Sequence, residues 1–304
     1  MSPTGVPADG VTPEKVGVDA ESRMLDAGDV TLHAVVAGPD DGAPVVLMHG
    51  FPEFWYGWKE QIEPLANEGY RVVVPDLRGY HLSDKPDQVS AYAPDELAGD
   101  VLGLLDALEL EDAHVVGHDW GGFLAWWVGL HHPERVRTLS VLNIPHPTAF
   151  RQAIYHDWEQ RLKSWYVLFF QLPRVPEAVA SATNYRLLTQ MMRRSSNPGT
   201  FNVADFDCYR AAWRRPGAYR AMLNWYRAIA RANPRPRTER CERPTLVLWG
   251  AQDDYLSRSL ALESVQYCDT EHLVVLDDAT HWVHHEEPVR VRSQLTKHFE
   301  MERF

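Results

Sequence analysis

Gly117-His118-Asp119-Trp120-Gly121-Gly122 follows the β-branched run His114-Val115-Val116 and leads into the apolar helical run Phe123-Leu124-Ala125-Trp126-Trp127. A strand therefore passes through a sharp bend into a helix, with Asp119 at the apex. Glycines on both sides permit the bend, because no Cβ obstructs the close backbone approach. Small-x-nucleophile-x-small between strand and helix is the pattern of a nucleophile elbow. Serine usually occupies the apex, and aspartate changes the chemistry. A serine that attacked a saturated carbon would form an ether, which resists hydrolysis under mild conditions. A carboxylate that attacks the same carbon forms an ester, which water then cleaves at its carbonyl. The missing serine excludes an ordinary esterase as the main activity.

Outward from the elbow, short apolar runs alternate with helical patterns. Residues 30–36, 45–48, 71–74, 114–116, 138–142, 245–248 and 272–275 read as strands. Several are unbroken Val/Leu runs, as strands buried on both faces of a mainly parallel sheet require. Residues 58–67, 94–110 and 122–130 read as helices. This alternation implies an α/β layer architecture. It stops after Pro145-His146-Pro147 and resumes beyond Asn233-Pro234-Arg235-Pro236. The organisation expected is an N-terminal tail (1–24), a first core part (25–147), a helical cap (148–234) and a second core part (235–304).

Asp119 needs a base to activate the second-step water, and the base needs an orienting acid. His281 follows the last apolar run. Asp253 closes Gly250-Ala251-Gln252-Asp253 just after the run 245–248, and the Gly-x-x-Asp spacing favours it over Asp254. Both fall at the carboxyl edge of the sheet, where open α/β sheets bind ligands. His49-Gly50-Phe51-Pro52 follows the run 45–48. The backbone N–H of Phe51, with that of Trp120, would form an oxyanion hole, whose donors are worth about 3 kcal/mol each in known cases. The Phe51-Pro52 bond is a candidate cis bond.

The chain has 304 residues, 45% hydrophobic and 24% charged, with a formal net charge of -12. That balance excludes nucleic acid as a partner, since phosphates need a basic surface. Cys208, Cys241 and Cys268 are odd in number and far apart, as expected of reduced thiols in a cytoplasmic protein. No apolar run is long enough to span a bilayer, so no membrane partner is expected. His118, His281, His284 and His285 lack zinc-ligand spacing. No metal and no cofactor are expected. Oligomeric state stays open, a homodimer included.

These pieces together resemble the epoxide hydrolase family of the α/β-hydrolase superfamily, close to the soluble epoxide hydrolases. The resemblance rests on His49-Gly50-Phe51-Pro52-Glu53 with Trp55-Tyr56, on Gly79-Tyr80 with Ser83, and on the elbow. It rests also on Tyr166-Val167-Leu168-Phe169-Phe170-Gln171-Leu172-Pro173, on Leu223-Asn224-Trp225-Tyr226-Arg227, and on the Asp253 and His281 neighbourhoods. It implies an α/β-hydrolase fold, a mainly parallel eight-stranded sheet flanked by helices with an inserted helical cap. It implies conversion of apolar epoxides and water to vicinal diols. It also implies that the Tyr166 and Tyr226 hydroxyls bind the epoxide oxygen, and that His49, Pro52, Trp55 and Trp282 line the pocket. Where relatives carry an alternative acid after the sixth strand, this chain has Asn143. Three departures stand out: His81 and Thr280, each where relatives often have glycine and each expected to alter loop shape only, and the acidic N-terminal tail.

The main rival is a haloalkane or haloacetate dehalogenase with the same aspartate elbow. Residue 51 is Phe where haloalkane enzymes carry a polar side chain. Trp120 stands where haloacetate enzymes carry Arg, and two tyrosines have no purpose with halides. A catalytically silent ligand-binding protein on the same fold would not need an intact nucleophile, acid, base and tyrosine pair.

Overall fold

The computed structural model describes residues 10–301. Eight strands form one sheet: β1 (Glu21–Asp26), β2 (Thr31–Ala37), β3 (Ala43–Met48), β4 (Tyr70–Pro75), β5 (Ala113–His118), β6 (Val136–Leu142), β7 (Thr245–Gly250) and β8 (Glu271–Leu276). Their order is β1-β2-β4-β3-β5-β6-β7-β8. β2 runs antiparallel to both neighbours, and every other pairing is parallel. The unbroken Val/Leu runs lie inside the sheet and not at its edges: every residue of β5 and β7 is buried. Helices flank the sheet. Those at Lys59–Asn67 and Pro288–Glu300 pack on each other, as do those at Pro94–Ala107 and Trp120–His131. No helix among the described residues is long and apolar enough to cross a membrane.

Seven runs read as strands became seven of these eight. The strand missing from the sequence reading, β1, is Glu-Ser-Arg-Met-Leu-Asp at the sheet edge, where none of its residues is fully buried. An edge strand needs no apolar run, and polar edge residues discourage pairing with other chains. β1 begins inside the stretch read as a tail, which is therefore not a tail from residue 10 onward. Val11 is buried; its N–H donates to His81 Nε2 at 3.0 Å, and its carbonyl accepts from Trp55 Nε1 at 3.1 Å. Residues 1–9, the rest of that stretch, lie outside the described residues.

Between β6 and β7 come seven helices, from Pro147–His156 to Ala218–Ala232. This insertion is sewn to the loops at the carboxyl ends of the strands. Trp213 Nε1 donates to Pro52 O at 2.6 Å, Trp225 Nε1 to Arg78 O at 2.9 Å, and the Tyr209 hydroxyl to Glu53 at 2.7 Å. Each of these donors is buried, so each bond replaces one lost to water.

Candidate active site

β5 delivers Asp119 at φ 51°, a backbone conformation that L-residues avoid and that here turns the chain from strand to helix. Glycines make the turn possible. A Cβ on Gly121 would lie 2.2 Å from Met48 O, and one on Gly50 would lie 2.4 Å from the Asp119 Cβ. The loop after β3 therefore presses directly on the Asp119 side chain.

The two carboxylate oxygens of Asp119 have different surroundings. Oδ1 accepts the Phe51 N–H at 2.8 Å. Oδ2 lies 3.7 Å from His281 Nε2. His281 Nδ1 pairs with Asp253 Oδ2 at 2.8 Å, and Asp254 is exposed. Asp253 also accepts from Asn143 Nδ2 at 2.7 Å and from the N–H groups of Tyr255 and Leu256 at 2.7 and 3.0 Å. Burial works to raise the Asp253 pKa, but the His281 charge and these donors outweigh it and hold it below the usual value. Burial works to lower that of His281, yet Asp253, Asp119 and Glu53 outweigh it and push it up to about 9.

Tyr166, on the helix Trp165–Phe170, and Tyr226, on Ala218–Ala232, meet edge to face with ring centroids 6.1 Å apart. Tyr226 also packs edge-on against Trp120 at 4.8 Å and Phe51 at 5.3 Å. Tyr166 adjoins Tyr255, which lies 5.2 Å from His281. Burial raises both phenols well above their ordinary pKa, and the Asp119 charge adds to the effect. The structure thus brings Asp119, His281, Asp253, Phe51, Trp120, Tyr166 and Tyr226 into one cluster.

The residues expected to line a pocket are placed differently. His49 is fully buried; its Nδ1 donates to Gly50 O and its Nε2 accepts the Leu77 N–H at 3.1 Å. It is a strut between the loops after β3 and β4. Trp55 is fully buried, tied to Val11 and Asp76. Trp282 is also buried; it packs on His281 and donates to Ser195 Oγ at 2.9 Å. In each case an indole or imidazole N–H finds its partner in the protein, which turns the ring into the packing. Pro52, after a cis bond, offers its carbonyl to Trp213. Phe51, Phe170 and Trp120 form the aromatic wall around the tyrosines instead.

Several groups have supporting roles that the sequence does not assign. Asn143 orients Asp253, and only its place after β6 hinted at a role. Glu53 is buried among His284 Nε2 at 3.2 Å, His285 Nε2 at 2.6 Å, His118 Nδ1 at 3.4 Å and the Tyr209 hydroxyl. His118 Nε2 in turn donates to His281 O at 2.9 Å. Glu286 accepts from Thr280 N and Oγ1, each at 2.7 Å, and from Asn197 N at 2.7 Å. Thr280 is therefore wired into the histidine loop, and His81 holds both Val11 and, at 2.8 Å, Asp76. Neither acts through loop shape alone.

The family model described as alpha/beta hydrolase fold matches residues 43–288. The chain is 42% identical over 276 residues to the AB hydrolase superfamily protein YfhM of Bacillus subtilis (strain 168), covering 91% of this chain and 96% of that one. It is 36% identical to Epoxide hydrolase 1 of Caenorhabditis elegans, covering 91% and 70%. A crystal structure of Bacillus megaterium epoxide hydrolase in complex with an inhibitor superposes with a TM-score of 0.84 at 27% identity, covering 92% of this chain and 100% of that one. The chain belongs to the α/β-hydrolase family. Within it, the chain belongs with the epoxide hydrolases.

Proposed function

We propose that the chain hydrolyses apolar epoxides to vicinal diols through an ester on Asp119. The observation that carries the reading is the carboxylate with one oxygen on the Phe51 N–H and the other free to react, next to two neutral phenols, the buried Tyr226 and the half-buried Tyr166. The Tyr166 and Tyr226 hydroxyls donate to the epoxide oxygen. An Asp119 Oδ2 lone pair attacks ring carbon, the C–O bond breaks, and its electrons go to the oxygen, which takes a proton from a phenol. The raised pKa values keep both phenols protonated until that moment.

Water then attacks the ester carbonyl. His281, oriented by Asp253, takes the water proton. Oδ1 becomes the oxyanion, held by the Phe51 N–H and by that of Trp120. Collapse breaks the ester C–O bond; the departing diol oxygen takes the proton of the newly formed carboxyl group, and the proton held by His281 returns to the phenolate, which restores Asp119, His281 and the tyrosine. With Asp119 charged, His281 is an imidazolium near neutral pH, since its pKa is about 9. Esterification removes a negative charge 3.7 Å from Nε2, which lowers that pKa and frees the base when it is needed.

Dehalogenation gains no support from the geometry: the Phe51 ring packs on Phe170 and Tyr226, and the Trp120 ring on Tyr226. The free thiols of Cys208, Cys241 and Cys268 support a cytoplasmic setting. The decisive test is His281→Gln with an aryl epoxide, followed by intact mass and peptide mapping. The expected result is a gain of the whole epoxide mass on Asp119. A protein that stays unmodified under saturating epoxide would overturn the scheme, and an adduct lacking halide from an alkyl halide alone would favour the rival.

A further inference from the structure

Tyr155, Trp158, Leu162, Trp165, Leu168 and Leu172 follow one another at intervals of three or four residues, on the helices Pro147–His156, Trp158–Lys163 and Trp165–Phe170 and just beyond them. They are 62%, 67%, 62%, 65%, 75% and 45% exposed. Single exposed apolar residues are ordinary, but six so close together along three consecutive helices of one insertion mark an interaction surface, called the stripe below. The opposite side of the last helix is the one already described, with Tyr166, Val167, Phe169 and Phe170 packed inward.

Charge identifies the partner. Around the stripe, Asp157 caps a helix, Glu159 lies 3.9 Å from Lys163, and Glu177 pairs with Arg227. Arg161, Arg174 and Arg186 have no acidic partner among the described residues, and all three are exposed. Residues 148–234 carry 13 Lys/Arg against 5 Asp/Glu, a formal +8, in a chain whose total is -12. The remainder of the chain therefore carries -20. A second copy docked on this stripe would set +8 against +8. An anionic surface would be attracted to this part of the molecule and repelled by the rest.

We propose that this face of the insertion docks peripherally on anionic phospholipid bilayers. Two tryptophans suit the headgroup region, leucines reach the acyl boundary, and the arginines meet lipid phosphates. Such a surface lies on the membrane and needs no spanning helix. Docked this way, the helix bearing Tyr166 lies against the bilayer, the phase in which apolar epoxides dissolve. That consequence rests on the epoxide reading; the docking itself does not.

The test is co-sedimentation of the full chain with vesicles of mixed phosphatidylcholine and phosphatidylglycerol, against pure phosphatidylcholine. Binding to the mixed vesicles, weakened by salt and accompanied by a blue shift of tryptophan emission, is expected. Trp158→Ala with Leu168→Gln, and separately Arg161→Glu with Arg174→Glu, should each weaken binding about tenfold or more. Both variants should turn over a water-soluble epoxide as the parent does, which checks their folding and keeps the catalytic reading separate. A protein that stays in the supernatant with anionic vesicles at low salt overturns the proposal. So does a dimer in sedimentation equilibrium that Leu168→Gln dissolves, because the stripe would then belong to a second copy.

Discussion

Asp119 is held in a positive-φ turn with one oxygen on a backbone donor, so its two oxygens arrive with separate tasks. In the proposed scheme Tyr166 and Tyr226 complete the ring-opening side. Tyr166→Phe or Tyr226→Phe removes one donor to the developing alkoxide, and single-turnover ring opening should slow about 100-fold in each. A variant that opens the ring at the parental rate would remove that tyrosine from the scheme. In the same scheme His281 sets the pH behaviour of the second step. Its neutral form is the base, so acid below its pKa in the ester state protonates it and stalls hydrolysis. More adduct should therefore be trapped by quenching the parent enzyme in turnover at mildly acidic than at mildly alkaline pH. The same group bears on stability. Its folded pKa of about 9 lies above its ordinary 6.5, so its contribution is fully present below 6.5 and is lost as pH rises through about 9. Melting curves should show the parent losing stability relative to His281→Gln across that window; parallel curves would contradict the charged resting histidine.

At the scale of elements, the loops that carry acid and base are tied together by the insertion. Ser195 Oγ accepts from the Tyr255 hydroxyl at 3.0 Å and from Trp282 Nε1 at 2.9 Å. Tyr255 stands two residues after the acid, and Trp282 one after the base. Ser195→Ala leaves the buried Trp282 indole and the half-buried Tyr255 hydroxyl without their acceptor, a cost of about 1–3 kcal/mol. Thermal unfolding should register that loss, and ester hydrolysis should slow more than ring opening, because in the proposed scheme Asp253 and His281 serve only the second step. Equal slowing of both steps would show that Ser195 merely holds the insertion closed. The elements themselves were readable to different degrees. β3, β5 and β7 announce themselves as Val/Leu runs because both faces are buried. β1 is half-exposed and polar, so period and composition carried no signal for it. The insertion was legible as a helical stretch without strands, but the bounds of its seven helices were not, since their inner faces are set by partners on distant loops.

For the whole molecule, residues 10–26 close the sheet edge and reach the loops beside the site. Removing residues 1–12 strips the partner from His81 Nε2 and from Trp55 Nε1, so the urea midpoint should fall by an amount equivalent to about 1–3 kcal/mol. An unchanged midpoint would make the Val11 contacts idle. The amino-acid sequence by itself determined the architecture and the place of the candidate nucleophile. Both are local: a buried strand, a glycine turn and an apolar helix are adjacent in the chain, and a carboxylate at the turn admits only a short list of reactions. It also brought Asp253 and His281 into view, because parallel strands place their following loops on one edge. Tertiary structure alone decided which groups support them. Glu53 meets Tyr209, His284 and His285 across separations of 156, 231 and 232 residues. It alone decided that Trp55 and Trp282 turn inward, and that the Tyr155–Leu172 stripe faces out. Contacts between residues far apart in the chain are made by packing, and neither period nor motif spacing encodes where an indole N–H finds its acceptor.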